Sequence, residues 1–450
     1  MRTSFTFCGS QLHRTYPFIP YVMNFVRRRA SRLASQLPAI SDPNSVELTG
    51  RCHPLHSYVD DVLHLVAYSS CGMTRVPFNV PPVVGRELEY VGEVIQSRAF
   101  AGNGRFTARC HSWLNEQLGV SESFLTHSCT SALEMAAILA GLEPGDEVIM
   151  PSFTFVSTAS SVVMRRAVPV FIDIRADTLN IDEKLIEAAI TPRTKAICVV
   201  HYAGVCAEMN LIHKIADRHQ LLVIEDAAHA LLSTYRGRPA GRLGDIACFS
   251  FHETKNVTSG EGGALAVNNA SFCERAYLVW EKGTNRRAFR LGLVDKYTWV
   301  DIGSSFLPSE FTAAILLAQL EQVEHLVLKR REIWERYWTG FADLETAEIA
   351  RRPIVPPHCI HNGHLFYLLF RGEAERTRLI EKLRSEDIWA PFHYVPLHSA
   401  PAGRRYARAH GDLSVTDSTS ARLLRLPLHA GLAPALVDRI IDRVHAILKN

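Results

Sequence analysis

Val168-Pro-Val-Phe-Ile-Asp-Ile174, Ala196-Ile-Cys-Val-Val-His201 and Leu221-Leu-Val-Ile-Glu225 are three short, nearly unbroken apolar runs. Between them lie two segments with helical spacing, Asp182–Ile190 and Glu208–His219. Strands that are apolar on both faces are strands with helices packed on both sides. Strand–helix–strand repetition gives parallel pairing through right-handed crossovers. The rhythm extends backwards, with strands at Ser123–Thr126 and Glu147–Met150 and helices at Ser131–Ala140 and Val156–Arg165. The expected fold class is therefore α/β, with a large, mostly parallel sheet covered by helices. In such sheets ligands bind beyond the carboxyl ends of the strands.

Those ends carry polar and aromatic residues in a telling order. Ser128-Cys129-Thr130-Ser131 follows the first strand and opens a helix, so hydroxyls and free N–H groups make either an anion site or a plain helix cap. Pro151-Ser-Phe-Thr-Phe155 follows the second; Phe155 is either core or a stacking face for a flat ring. Asp226-Ala-Ala-His229 follows the fifth, and in a helical turn the two polar residues share a face. Then comes Cys248-Phe-Ser-Phe-His-Glu-Thr-Lys255-Asn-Val-Thr-Ser-Gly260-Glu-Gly-Gly263. Its apolar run Ile246–Phe251 reads as a strand end, and Ser259–Gly263 is a turn that brings backbone close to a ligand. A lysine held between them has a short, fixed reach. Lysine forms imines with aldehydes, and pyridoxal 5′-phosphate is the cofactor that uses this. An aspartate facing a pyridine nitrogen keeps that ring an electron sink, and Ser250 adds a hydroxyl for a phosphate. Each feature alone has a bland reading; the order of all of them along one sheet does not.

Composition excludes several classes. The chain has 450 residues, 47% hydrophobic and 21% charged, with a net charge of +3. That suits a globular enzyme of two or three domains and gives no basic surface for nucleic acid. No apolar run reaches the roughly 18 residues that span a bilayer. The ten cysteines show no CxxC pairing, which fits reduced thiols in a cytoplasm. The twenty histidines form no metal-ligand pattern, so no metal is expected.

Residues 1–75 differ from the rest of the chain. Up to Ser41 there are six arginines and neither lysine nor acid. Such a start resembles a mitochondrial transit segment. It also fits a poorly ordered extension ahead of a true start at Met73, the reading preferred here because periodicity is weak. From Val76 the pattern tightens, with helices at Gly85–Ser97 and Phe106–Leu118. Beyond the lysine a strand is expected at Gly263–Asn268, a helix at Ser271–Glu281 and one long helix at Glu310–Val327. Residues 76–330 thus form a large domain. Residues 331–450 form a smaller α+β domain, with a strand at Leu365–Phe370, extended chain at Ile388–Tyr394 and helices at Ala374–Ser385, Asp417–Leu424 and Pro434–Leu448. Tyr394 and His398 either reach the site or pack between domains.

The chain also resembles the DegT/DnrJ/EryC1/StrS family of sugar aminotransferases, of the fold-type-I pyridoxal-phosphate class. The resemblance spans roughly residues 76–450. It rests on Pro77–Gly85, Pro144–Ser152, Phe249-Ser-Phe-His-Glu-Thr-Lys255-Asn, Glu281-Lys-Gly-Thr-Asn-Arg286, Val294-Asp-Lys-Tyr-Thr-Trp299, Asp301-Ile-Gly-Ser-Ser305 and Phe392-His-Tyr-Val-Pro-Leu-His398. It implies that Lys255 carries the cofactor, that Asp226 meets the pyridine nitrogen and that His229 sits near the ring. Phe155 is implied to stack on the ring, and Thr130, Ser131 and Ser250 to hold the phosphate. Where many members place Asn or Arg to reach the partner subunit's phosphate, this chain has Leu307. The implied reaction moves nitrogen from glutamate to C4 of a dTDP-linked 4-keto-6-deoxy sugar, in a homodimer. Family members that dehydrate sugars carry histidine in place of the lysine, so Lys255 argues against that chemistry. A nucleotide-sugar sensor that keeps the fold has no need of the Lys/Asp pair.

Overall fold

The predicted alternation becomes one eight-stranded sheet. The structure, a computed structural model, describes residues 75–449. Strands β1 (Glu122–Thr126), β2 (Glu147–Pro151), β3 (Val168–Ile172), β4 (Thr194–Val200) and β5 (Leu222–Asp226) alternate with helices α3 (Cys129–Leu139), α4 (Val156–Met164), α5 (Glu183–Ala189) and α6 (Met209–His219). Helices α1 (Glu87–Ser97) and α2 (Arg105–Leu118) precede them. A small hairpin, β6 (Thr234–Tyr235) and β7 (Arg238–Pro239), leads to β8 (Ile246–Ser250) and β9 (Gly263–Val267). With the short β10 (Ala350–Arg351), β11 (Cys359–Ile360), β12 (Phe366–Phe370) and β13 (Arg408–Ala409) defined, the large sheet runs β1-β9-β8-β5-β4-β2-β3-β13.

Pairing is parallel from β8 through β13, and β9 is antiparallel to both of its neighbours. Because β9 is reversed twice over, β1 points the same way as β8. Gly263, the first residue of β9, faces Thr126 on one side and Ser250 on the other. The ends of β1 and β8 and the glycine turn therefore meet at one edge of the sheet, where β5 also ends.

The continuous apolar runs feed two cores, one on each face. Ile149, Val170, Val199 and Val223 pack with α1, α2, α6 and α8 (Glu310–Leu320). The alternate residues Val148, Phe171, Cys198 and Ile224 pack with α3 and α7 (Cys273–Trp280). This is the two-sided burial that parallel strands require.

A third core lies around the second sheet, β10-β12-β14 with β14 at Leu423–Leu426. It takes in Ile333 and Tyr337 of α9 (Val323–Gly340) with Phe341 just after it, Leu379 and Leu383 of α10 (Glu373–Ser385), and Val437 and Ile440 of α12 (Pro434–Lys449). The opposite face of this sheet, with Tyr367, Leu369 and Leu423, packs with Phe153 and Tyr202 from loops of the large sheet. The boundary expected at 330/331 falls inside α9. The expectation for residues 1–75 lies, except for Arg75, outside the described residues.

Two expected helices are corrected. Glu310–Val327 is not one helix: α8 and α9 meet at a 60° bend. Glu321, at the break, accepts from Arg86 and Tyr90 at 2.9 and 2.8 Å and from Arg109 at 2.8 Å, tying that point to α1 and α2. Asp417–Leu424 is helical only within α11 (Ser414–Arg422); Leu423 begins a strand, paired with residues of β12 far off in sequence. No single helix among the described residues is long and apolar enough to cross a bilayer.

Candidate active site

A cavity of about 760 Å³ opens where β1, β5 and β8 end and the second sheet closes over them. Its wall includes Thr130, Phe155, Asp226, His229, Ser250, Lys255 and Tyr394. Sequence reasoning thus names residues that the fold brings together from segments over 250 positions apart.

One end is built for an anion. Helix α3 begins after Ser128, whose side chain accepts from the Ser131 N–H at 3.1 Å. The N–H groups at the start of a helix have no partner inside it and point outward with the positive end of the dipole. Thr130 shares a 2.7 Å hydrogen bond with Ser157. Gly263 presses against this turn so closely that a Cβ there meets the Ser128 carbonyl carbon at 2.4 Å and the Cys129 nitrogen at 2.5 Å. Ser128 itself lines the cavity, while the Ser131 hydroxyl is turned to Ser128 at 3.2 Å and is not on the wall.

Lys255 stands in a turn fastened at both ends. Phe251 donates to Gly262 at 2.8 Å and accepts from Ser259 at 3.0 Å. Asn256 donates to the Asn362 carbonyl and pairs with His364, both at 2.9 Å. The amine makes no hydrogen bond or ion pair among the described residues, and burial lowers its pKa. Asp226 is buried, and burial raises its pKa. Thr158 donates to its Oδ2 at 2.7 Å and the Ala228 N–H to its Oδ1 at 3.2 Å, which opposes that rise. Lysine and carboxylate feel each other's charge without touching.

The residues after β5 form a turn, and His229 reaches the wall beside Asp226. It stacks on His364 with centroids 4.2 Å apart, lies 3.5 Å from the Tyr394 hydroxyl and leaves Nδ1 without a partner. Burial holds its pKa well below the ordinary value. Phe155 is 57% exposed, so the core reading of this residue is wrong. His398 is not on the wall; it is held by Ser152 at 2.8 Å and Asp417 at 3.3 Å.

Sequence reasoning missed Thr158, His364, His393 and Arg425. Thr158 had a signal, lying three residues after Phe155 in the first turn of α4. The others come from the second sheet and its approach, far off in sequence. Among the described residues no cluster of side chains suits a metal ion, and every cysteine is a free thiol.

Residues 83–445 match the DegT/DnrJ/EryC1/StrS aminotransferase family. The chain belongs to that family. It is 35% identical to GDP-perosamine synthase of Caulobacter vibrioides over 385 residues, covering 84% of this chain and 99% of that one. It is similar to the aminotransferase TlmJ of Streptoalloteichus hindustanus, with 30% identity, a TM-score of 0.76 and coverage of 83% and 99%. The pyridoxal-phosphate form of the putative sugar aminotransferase Spr1654 of Streptococcus pneumoniae aligns with a TM-score of 0.77 at 25% identity, covering 83% of this chain and 99% of that one.

The family's cofactor is pyridoxal 5′-phosphate, and the residues present fit it. A helix start with no room for a side chain suits the phosphate. An unpartnered amine and a buried carboxylate, both on one wall, suit the aldehyde and the ring nitrogen. As a member of a sugar aminotransferase family, the chain is an aminotransferase.

Proposed function

We propose that Lys255 and Asp226 are the reacting centre, and that nitrogen passes from glutamate to C4 of a dTDP-linked 4-keto-6-deoxy hexose. One observation carries this reading: an amine free of protein partners shares a cavity with a buried carboxylate and a helix-start anion cradle. When bound, pyridoxal 5′-phosphate supplies an aldehyde that takes up nitrogen and a ring that accepts electrons. Lys255 anchors that aldehyde. Once displaced, its Nζ takes the proton from the donor carbon and returns it. Burial favours this, because it keeps the amine neutral at lower pH. Asp226 faces the ring nitrogen. Thr130, Ser250 and the first N–H groups of α3 hold the phosphate, and Phe155 covers a ring face. His229 sits near the ring, and Tyr394, whose hydroxyl lies 3.5 Å from His229, meets the substrate.

A second reading has its own support. Similarity to GDP-perosamine synthase favours a GDP-linked sugar over a dTDP-linked one. The product serves cell-surface polysaccharide synthesis in either case, in keeping with 31% identity to the spore coat polysaccharide biosynthesis protein SpsC of Bacillus subtilis. The exposed apolar stretch with Leu291, Leu293 and Trp299 (60%, 73% and 78% exposed) supports assembly with a second copy.

The test offers glutamate with each 4-keto-6-deoxy sugar, dTDP-linked and GDP-linked, and identifies the aminosugar. Amination at C4 of the dTDP sugar is the expected result. Preference for the GDP sugar establishes the second reading, and no aminosugar from either overturns both.

A further inference from the structure

Asn256 follows Lys255 in sequence and is buried. Its side chain bridges two groups: Nδ2 donates to the Asn362 carbonyl, and Oδ1 meets Nδ1 of His364, both at 2.9 Å. A backbone carbonyl only accepts, so the amide nitrogen must face Asn362 and the amide oxygen must face His364. An amide oxygen also only accepts. The ring proton of neutral His364 is therefore on Nδ1, and Nε2 carries the lone pair.

The rest of His364 is fastened as firmly. Its N–H donates to Asn362 Oδ1 at 3.1 Å, and its carbonyl accepts from Arg330 Nη2 at 2.6 Å. Asn362 Nδ2 donates to the carbonyls of His229 and Leu231 at 2.9 and 2.8 Å, so one side chain ties both stacked histidines. Gly204 leaves the space for it, because a Cβ there would meet Asn362 Oδ1 at 2.2 Å. His364 lines the cavity, and of its polar atoms Nε2 alone makes no hydrogen bond among the described residues.

We infer that Asn256 is a positioning residue that holds His364 as its Nδ1–H tautomer, with the Nε2 lone pair turned into the cavity as an uncharged acceptor. This rests on the aminotransferase reading. The amino donor arrives as an ammonium and the sugar carries hydroxyls, so both bring hydrogens to be accepted. The charged and titratable groups around His364 are His229, Lys255, Arg330 and His393. None of them is an acid, and with burial they keep the ring neutral. An amide at position 256 fixes the tautomer without adding charge. Aspartate there would accept the same proton and stabilise the imidazolium, which has no lone pair to offer.

Ring-nitrogen NMR of cofactor-loaded protein grown on ¹⁵N-histidine reads the tautomer, with the His364 signals identified by their loss in His364→Gln. The parent should show Nδ1 protonated and Nε2 bare from about pH 8 to about pH 6. Asn256→Ala should show both tautomers in exchange, and Asn256→Asp should show both nitrogens protonated at the acid end. Turnover is the second readout. Below neutral pH, Asn256→Asp should lose activity by about tenfold per pH unit, the slope of one titrating group, whereas Asn256→Ala should be slower than the parent with an unmoved acid limb. The two half-reactions, each read alone, separate the sources of the hydrogen. A defect in the glutamate half assigns it to the ammonium, and one in the nucleotide-sugar half to a hydroxyl. A parent ring with its proton on Nε2, a single tautomer kept in Asn256→Ala, or a defect in neither half overturns the inference; the parent spectrum decides the tautomer even if Asn256→Asp does not fold. A parent with the expected tautomer that aminates neither nucleotide sugar overturns the aminotransferase reading instead.

Discussion

The Thr158 hydroxyl donates to Oδ2 of Asp226 across 2.7 Å, from the first turn of α4 to the end of β5. Burial raises the Asp226 pKa, and this bond works against it. Thr158→Val removes the donor, so the carboxyl takes its proton at a higher pH than before. A protonated Asp226 cannot support a positive ring nitrogen. The acid limb of the rate profile should therefore move to higher pH, with turnover down about 10- to 100-fold, the scale of a hydrogen bond to a charged group. A pH–rate profile superimposable on the parent's rules out this role for Thr158.

Lys255→Ala should abolish turnover while the protein still takes up cofactor. In the proposed reaction the amine supplies both the anchor and the moving proton, and proton transfer alone is worth about 10²- to 10⁴-fold. The phosphate cradle is built from other residues and is untouched. Absorbance of the dialysed variant and a turnover assay check this; measurable turnover at more than about a hundredth of the parent rate is incompatible with it.

Phe155→Ala should weaken cofactor retention by about 1 kcal/mol, the scale of one aromatic contact. Phe155 is 57% exposed, so thermal stability should change by no more than about 0.5 kcal/mol, as for other surface positions. Titration of the apo-protein with cofactor, beside a melting curve, separates the two effects. Unchanged cofactor affinity would mean that Phe155 covers something other than the ring.

How much of the molecule is legible in its sequence depends on which contacts are local. The apolar runs of β2 to β5 announce themselves, because two-sided burial confines polar residues such as Glu147 and Asp226 to the strand ends. Lys255 is legible because the glycines after it fit only a tight turn. The break at Glu321 is not legible, since the groups that hold it, Arg86 and Arg109, lie more than 200 residues earlier. Arg425 is hidden for a related reason. The spacing of Asp417–Leu424 suggests a helix running into Leu423–Leu426, and the true partner of that segment, β12, is non-local. An arginine inside the apolar run Leu-Leu-Arg-Leu is the missed signal.

Glu147 offers a test of how β13 is held to the sheet. Hydrogen bonds from Arg408 at 2.8 and 3.1 Å, with Thr191 and Arg193, pull its pKa from 4.5 down to about 2. A carboxylate with a lowered folded-state pKa stabilises the protein above the unfolded value. That contribution is lost as pH falls from about 4.5 through about 2. Arg408→Met leaves Glu147 buried with fewer donors, so its pKa returns toward the ordinary value. The variant should be less stable at neutral pH by about 1–3 kcal/mol, the scale of bonds to a buried charge. The gap between parent and variant should close as the solution is acidified through the same window. Denaturant unfolding at several pH values measures both curves; curves that stay parallel from neutral pH to pH 3 would show that the Arg408–Glu147 contact is not what fastens β13.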